Sequence, residues 1–147
     1  MSLAMTRAER EEFLADTHVA AVSIAEDGRG PLTVPVWYRY EPGGELFFVT
    51  GGRSRKADLL RRTGRASVLV QSETVPYKYV SVEGPARFLD QIDHERDVRS
   101  VAVRYLGAEL GEAYLVATAD ERAAAEEVLV ALRPERWYAV DYGKMGL

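Results

Sequence analysis

The sequence contains no cysteine, which excludes disulfides, thiolate metal sites and cysteine nucleophiles. Histidine is nearly absent as well. His18 and His94 are the only two and lie far apart, so a metal centre would rest on carboxylates and none is expected. No apolar run approaches the ~18 residues of a membrane-spanning helix, so no membrane partner is expected. Met1-Ser2-Leu3, ahead of a second methionine at Met5, lacks the apolar core of a signal peptide and reads as an expression scar. Residues 1–4 are therefore expected to lie outside the folded domain, and the cytoplasm is the expected compartment. Positive charge is also in deficit: 19 Lys and Arg against 23 Asp and Glu give a net charge of −4, which disfavours a nucleic-acid partner.

What is present suits one domain. The 147 residues are 47% hydrophobic and 29% charged, an ordinary globular balance. A chain of this length buries about two-thirds of its unfolded surface, enough for a true core. No repeat, linker or low-complexity tract interrupts residues 1–147, so a single domain is expected.

Local signals give the order of elements. Thr6-Arg7-Ala8-Glu9 fits a capping box and predicts a helix to about Ala15. Val19 to Ile24 is β-branched or small and apolar, and EDGRG supplies a turn. LTVPVWYRY, 32–40, reads as a second strand in which Pro35 implies an edge position or an interrupted ladder. EPGG then leads into a third strand, ELFFVT. A helix follows Gly52, and ASVLVQ (66–71) and YKYVSVEGPARFL (77–89) are strand-like. Asp93 can cap a helix running towards Arg104, and Thr118 to Glu121 offers a second capping box ahead of the alanine-rich 122–126. Residues 127–132 and RWYAVDY read as the last two strands, separated by Pro134, while Glu121, Glu126 and Glu127 read as exposed helix charges. Successive strands with few crossovers predict a mainly β, α+β fold: an antiparallel sheet closed into a barrel, with peripheral helices.

One segment departs from ordinary helix chemistry. From Arg53 to Arg65 six cations accompany a single acid, Asp58, and three of them (Arg53, Arg55, Lys56) sit at the predicted helix start. A helix N-terminus already carries about +0.5 of partial charge, so cations there cost ~0.3–1 kcal/mol each when exposed. The plain reading is a solvated charged face. The alternative is an anion site, in which backbone N–H groups, the Ser54 hydroxyl and the cationic side chains converge on a phosphate.

In order along the chain, FVTGGRSRKADLL, GRASVLV and YVSVEGPARF resemble the pyridoxamine 5′-phosphate oxidase-like, FMN-binding split-barrel family. That family carries an aromatic-Thr-x-x-x-Ser-Arg-Lys-x-x-x-Leu block, matched here by Thr50, Ser54, Arg55, Lys56 and Leu60. Arg65-Ala66 and Val82-Glu83-Gly84 then follow in order. The resemblance implies a split barrel whose bound FMN, or alternatively the deazaflavin coenzyme F-420, exchanges hydride with a small organic molecule. It implies Arg55 and Lys56 as phosphate ligands and Thr50 and Ser54 as hydroxyl donors. It lays the strand Val34, Pro35, Val36, Trp37 along the flavin ring, with Arg39 as a nearby cation and backbone N–H groups of 34–37 as donors. It also implies a homodimer with the cofactor at the subunit interface.

Other positions depart from the family pattern. Val34 stands where the authentic oxidases have arginine, Tyr79 where they have glutamine, and PERWYAVDY lacks their Phe-Trp ending. These departures argue against pyridoxamine phosphate as substrate. Trp37 either walls the ring or packs in the core, and Tyr77 and Tyr79 either line the substrate mouth or pack across strands. Three functions remain in view: a redox enzyme, a cofactor carrier or sensor without turnover, and an anion-binding module built on the basic helix.

Overall fold

The structure, a computed structural model, describes residues 2–146. Eight antiparallel strands, β1 (Ala20–Ile24), β2 (Leu32–Val36), β3 (Arg39–Tyr40), β4 (Leu46–Gly51), β5 (Arg65–Gln71), β6 (Lys78–Leu89), β7 (Glu127–Leu132) and β8 (Arg136–Asp141), form a curled sheet. Their order is β2-β1-β5-β6-β7-β4-β3, with β8 pairing to β6 off that path. Five α-helices sit at its periphery, and the arrangement is the expected split barrel.

The strand β6 (Lys78–Leu89) organises it. Along its first half β6 pairs with β8 (Arg136–Asp141), from Lys78↔Asp141 to Glu83↔Arg136. Along its second half it pairs with β7 (Glu127–Leu132), from Ala86↔Leu132 to Leu89↔Leu129. On its other edge β5 (Arg65–Gln71) follows it from Pro85 to Tyr79. The change of partner falls at Gly84-Pro85, where the chain leaving β7 crosses close above. A Cβ on Gly84 would lie 1.8 Å from the Arg133 carbonyl oxygen, so the glycine of the Val-Glu-Gly motif is a backbone contact point.

The core follows from strand alternation. In β1 (Ala20–Ile24) the residues Ala20, Val22 and Ile24 are buried, opposite Val36, Val34 and Leu32 of β2 (Leu32–Val36). Val68 and Val70 of β5, Val80 and Val82 of β6, and Leu132 of β7 complete the same cluster. Val34 packs against that cluster, so its side chain turns inward, away from any ligand lying along the outer side of the strand. β2 is an edge strand, which accommodates Pro35.

The single strand expected over 32–40 is divided. β2 ends at Val36, and Arg39–Tyr40 form a separate short strand, β3, paired with β4 (Leu46–Gly51). Between them the Tyr38 N–H donates to the Tyr105 hydroxyl at 3.1 Å instead of to a neighbouring strand. The Tyr38 hydroxyl donates to the Leu14 carbonyl at 2.7 Å, fastening α1 (Arg7–Ala15) to the break. Burial pushes the Tyr38 phenol well above its usual pKa.

The capping box of α1 forms as expected, with Thr6 and Glu9 bonded reciprocally. Its Glu9 carboxylate also accepts from Lys144, which, with the Thr6 contacts, holds its pKa down at about 2. The segment ahead of α1 does not lie outside the fold as expected: the Leu3 carbonyl accepts from the Asp141 N–H at 2.9 Å and Ala4 bridges Val140, so the chain start pairs along β8. Asp93 caps the next helical stretch through the Arg96 N–H. That stretch opens as a π-helical turn, His94–Arg99, before becoming α3 (Ser100–Leu106). A further helix, α4 (Ala108–Ala117), lies where the sequence offered no cap signal. The second capping box does not form. The Thr118 hydroxyl bonds the Tyr114 carbonyl and the Arg122 Nε instead of capping α5 (Ala119–Ala124). Glu127 is not an exposed helix charge either: it opens β7 and is half-buried. Among the described residues no helix is long and apolar enough to cross a membrane.

Candidate functional site

The basic segment forms α2 (Arg55–Thr63), capped by the Ser54 hydroxyl, which accepts from the Ala57 N–H at 3.1 Å. Buried Thr50 supports that cap, its hydroxyl 3.2 Å from that of Ser54. Gly52 is held by the turn between α5 and β7, where a Cβ would meet the Glu126 carbonyl at 2.5 Å. The pair of glycines therefore serves chain packing as well as helix initiation.

Most of the cations are answered internally. Arg55 forms an ion pair with Glu26 from the turn after β1. Arg53 donates to the Ala124 carbonyl at 2.8 Å and lies 3.9 Å from Glu126. Arg61 bonds the Gly52 carbonyl at 2.6 Å, Arg62 pairs with Asp58 at 3.3 Å, and Arg65 pairs with Glu135 at 3.2 Å. Lys56 differs from all of these. It is half-buried, its pKa is lowered by that burial, and among the described residues it has no hydrogen-bond or ion-pair partner.

Lys56 faces a cleft of about 340 Å³. Pro35, Val36, Trp37 and Arg39 form one wall, Phe47 and Val49 of β4 the floor, and Val98, Val101 and Tyr114 of the helical segment the far side. Trp37 is a cleft residue, stacked on Tyr105 with ring centroids 5.0 Å apart and 6° between planes, and set against Tyr114 at 5.3 Å. Arg39 lies over the Phe47 ring at 4.3 Å and donates to Asp97 at 3.1 Å. Its Nε is buried without a partner among the described residues.

Asp97 is the electrostatic anchor of this wall. Its carboxylate is fully buried and accepts from Arg39, from the Arg96 Nε at 2.9 Å and from the Asp93 N–H at 2.9 Å. Burial alone would raise its pKa, but the Arg96 guanidinium, the Asp93 N–H and Arg39 outweigh that and hold it below the usual carboxylate value. Across the cleft, burial raises the Glu127 pKa against the opposing pull of Arg122 and His94.

Pro35, Val36, Trp37, Arg39 and Lys56 thus meet at one cleft, with Thr50 and Ser54 behind Lys56 at the start of α2. Three expected residues stand apart. Val34 packs inward, Arg55 turns to Glu26, and Tyr79 lies on the outward face of the sheet, its ring 6.1 Å from that of Tyr138. Of the backbone donors expected along 34–37, Pro35 has no N–H to give. Asp97, Tyr114, Arg122 and Glu127 are cleft residues that sequence reasoning missed. Only the Asp93 cap hinted that the helical segment around Asp97 was ordered against something.

The split barrel thus carries a half-buried cation at a helix start beside an aromatic strand wall. The family model described as pyridoxamine 5′-phosphate oxidase matches residues 6–141, and the chain belongs to that family. Among solved structures, a conserved hypothetical protein from Mycobacterium tuberculosis is 26% identical, with 99% of this chain and 91% of that chain covered and a TM-score of 0.79. A FAD-binding protein from Mesorhizobium loti is 20% identical over 92% of this chain and 93% of that one, with a TM-score of 0.63. A protein named F-420 reductase is 15% identical over 87% of this chain and 94% of that one, with a TM-score of 0.58. At the two lower identities the likeness is one of fold. No curated protein matches the chain significantly.

Proposed function

We propose that the protein binds a flavin-type cofactor, FMN or alternatively coenzyme F-420, at the Lys56 cleft and acts as an oxidoreductase on a small organic molecule. The observation that carries this reading is Lys56 itself, a half-buried cation without a carboxylate partner at a helix start, beside a wall of Pro35, Val36 and Trp37. Such a group is stabilised when an anion supplies the missing charge. Once bound, the cofactor would supply hydride transfer, chemistry for which the chain provides only surroundings.

The chain's own residues fit that role. Lys56 would hold the phosphate, with the Thr50–Ser54 hydroxyl pair fixing the start of α2 behind it, and Arg55 would join it by exchanging Glu26 for it. Trp37, braced by Tyr105 and Tyr114, offers a flat wall that excludes water. Asp97 fixes the Arg39 guanidinium in place, so the cation is pre-oriented at the cleft.

A homodimer accompanies this reading. Pro35, Ala21, Leu69, Ser81 and Tyr138 are register neighbours in one row across the sheet. Tyr138 is 68% exposed and Leu69 38%. A small, apolar and aromatic outward face suits a second copy, and Tyr79 would then stand at the subunit boundary. Light scattering with cofactor present should give a dimer mass, and a monomer at micromolar concentration counts against the assembly.

Titrating the protein with FMN and with coenzyme F-420, followed by turnover assays with the reduced cofactor, tests the function. Micromolar binding of one and turnover of a small acceptor are expected; failure of both to bind overturns the reading. Pyridoxamine phosphate should not be oxidised, and a rate of about 1 s⁻¹ or faster would contradict that.

A further inference from the structure

A second cleft lies at the other end of the barrel, between α1, the turn joining β3 to β4, and the start of β8. Its volume is about 540 Å³, and Tyr40, Arg10, Trp137, Arg7, Arg87 and Arg133 line it. It shares no lining residue with the Lys56 cleft.

Its floor holds polar atoms that the protein leaves unanswered. Tyr40 is 3% exposed, and its hydroxyl has no hydrogen-bond partner among the described residues, although the Gly43 backbone approaches it. The Arg10 Nε is buried and unpartnered in the same way. A buried donor without an acceptor is costly, and natural proteins keep few of them.

The surrounding charges narrow the ligand. Arg87 grips Glu45 with both arms, Arg7 pairs with Glu11 at 3.3 Å, and Arg133 pairs with Glu135 at 3.1 Å. Arg10 alone of the four has no carboxylate partner among the described residues, and its guanidinium lies 4.6 Å above the Trp137 ring. Arg133 shares Glu135 with Arg65, so the cleft is short of negative charge, most sharply at Arg10. One guanidinium and one phenol O–H match the two oxygens of a carboxylate. Tyr40 and Trp137 add aromatic walls, with centroids 6.4 Å apart and planes at 68°. Gly43, at φ +83°, has open space where a side chain would be, which leaves the rim clear. Arg7 is held over this rim by an exposed helical pair and yields easily to an entering ligand.

We propose that this cleft is a binding site for a small aromatic carboxylate, held by Arg10 and Tyr40 against Trp137. It is separate from the cofactor reading and stands if that reading fails.

Benzoate and inorganic phosphate serve as probes, with Trp137 emission read in a Trp37→Phe background so that the other cleft is silent. Saturable binding of benzoate, tighter than that of phosphate, is expected. Arg10→Gln should weaken benzoate at least about tenfold, the loss of one charge-assisted hydrogen bond. Tyr40→Phe should weaken it several-fold, and Arg10→Lys should restore part of what Arg10→Gln loses. Because Tyr40→Phe only deletes an unpartnered hydroxyl, it remains a usable arm if Arg10→Gln folds poorly. Lys56→Ala should leave benzoate binding unchanged. No saturable benzoate response, equal affinity in Tyr40→Phe, or tighter phosphate binding would each overturn the assignment.

Discussion

In the Lys56 cleft, Arg39 rests on an aromatic ring with a buried carboxylate beneath it; in the second cleft, Arg10 rests on an aromatic ring with no carboxylate. Asp97, shared with Arg96, holds Arg39, while Lys56 has no hydrogen-bond or ion-pair partner among the described residues, at a helix start that already attracts anions. At the other end of the barrel the missing charge belongs to Arg10, and Tyr40 adds an unused donor. A guanidinium over an aromatic ring is thus not diagnostic by itself. What marks a binding position is the cation left without an internal partner.

The comparison can be broken most severely through the strand that carries both ends. Gly84→Ala sets a Cβ against the Arg133 backbone and should destabilise the fold by several kcal/mol. Thermal melting checks this, and a melting temperature near wild type would show that the crossover is looser than described. Next in size, Asp97→Ala strands Arg39 and Arg96 and should cost on the order of 3 kcal/mol. Arg10→Gln removes no internal ion pair and should cost less than about 1 kcal/mol. Urea unfolding of the two variants tests that asymmetry, and equal losses would erase it.

Smaller effects sharpen the account of Lys56. Burial disfavours its charge, so the free protein holds this proton less tightly than the unfolded chain. The contribution of this group to stability therefore rises with pH through the folded value towards the unfolded one, about 10.4. Cofactor binding has the opposite dependence: it needs the charge, so affinity should fall as pH rises through that lowered value. A bound phosphate raises the pKa again, so binding at alkaline pH should take up a proton. Calorimetry in buffers of different ionisation enthalpy reads this uptake, and its absence would place Lys56 away from the anion. Smallest of all, Glu26→Gln frees Arg55 from a partly exposed pair and should tighten FMN two- to fivefold, about 0.4–1 kcal/mol. Weaker binding would give Glu26 a different role.

Much of the frame was legible because short-range chemistry sets it. The Thr6–Glu9 box, the edge position of Pro35 and the β-branched run of 127–132 carry their own instructions. The break at Tyr38 did not, because its cause is the hydroxyl of Tyr105, 67 residues along the chain. The same distance hid half of the cleft. Asp97 and Glu127 look like surface acids until the helices fold back over β4, and Arg55 looks like a free phosphate ligand until Glu26 arrives from another turn. Pairing between remote charges is a tertiary property, and the basic segment could show only that its cations needed partners.

The most direct measurement is calorimetric titration of FMN into wild type, Lys56→Ala and Arg62→Ala, repeated with coenzyme F-420. Loss of one charge-assisted contact corresponds to about a ten- to hundredfold fall in affinity. Lys56→Ala should show that fall for whichever cofactor binds. Arg62→Ala, whose charge is already paired with Asp58, should bind like wild type. Equal affinity in all three proteins, or binding by none, would contradict the assignment of Lys56 as the cofactor's phosphate ligand.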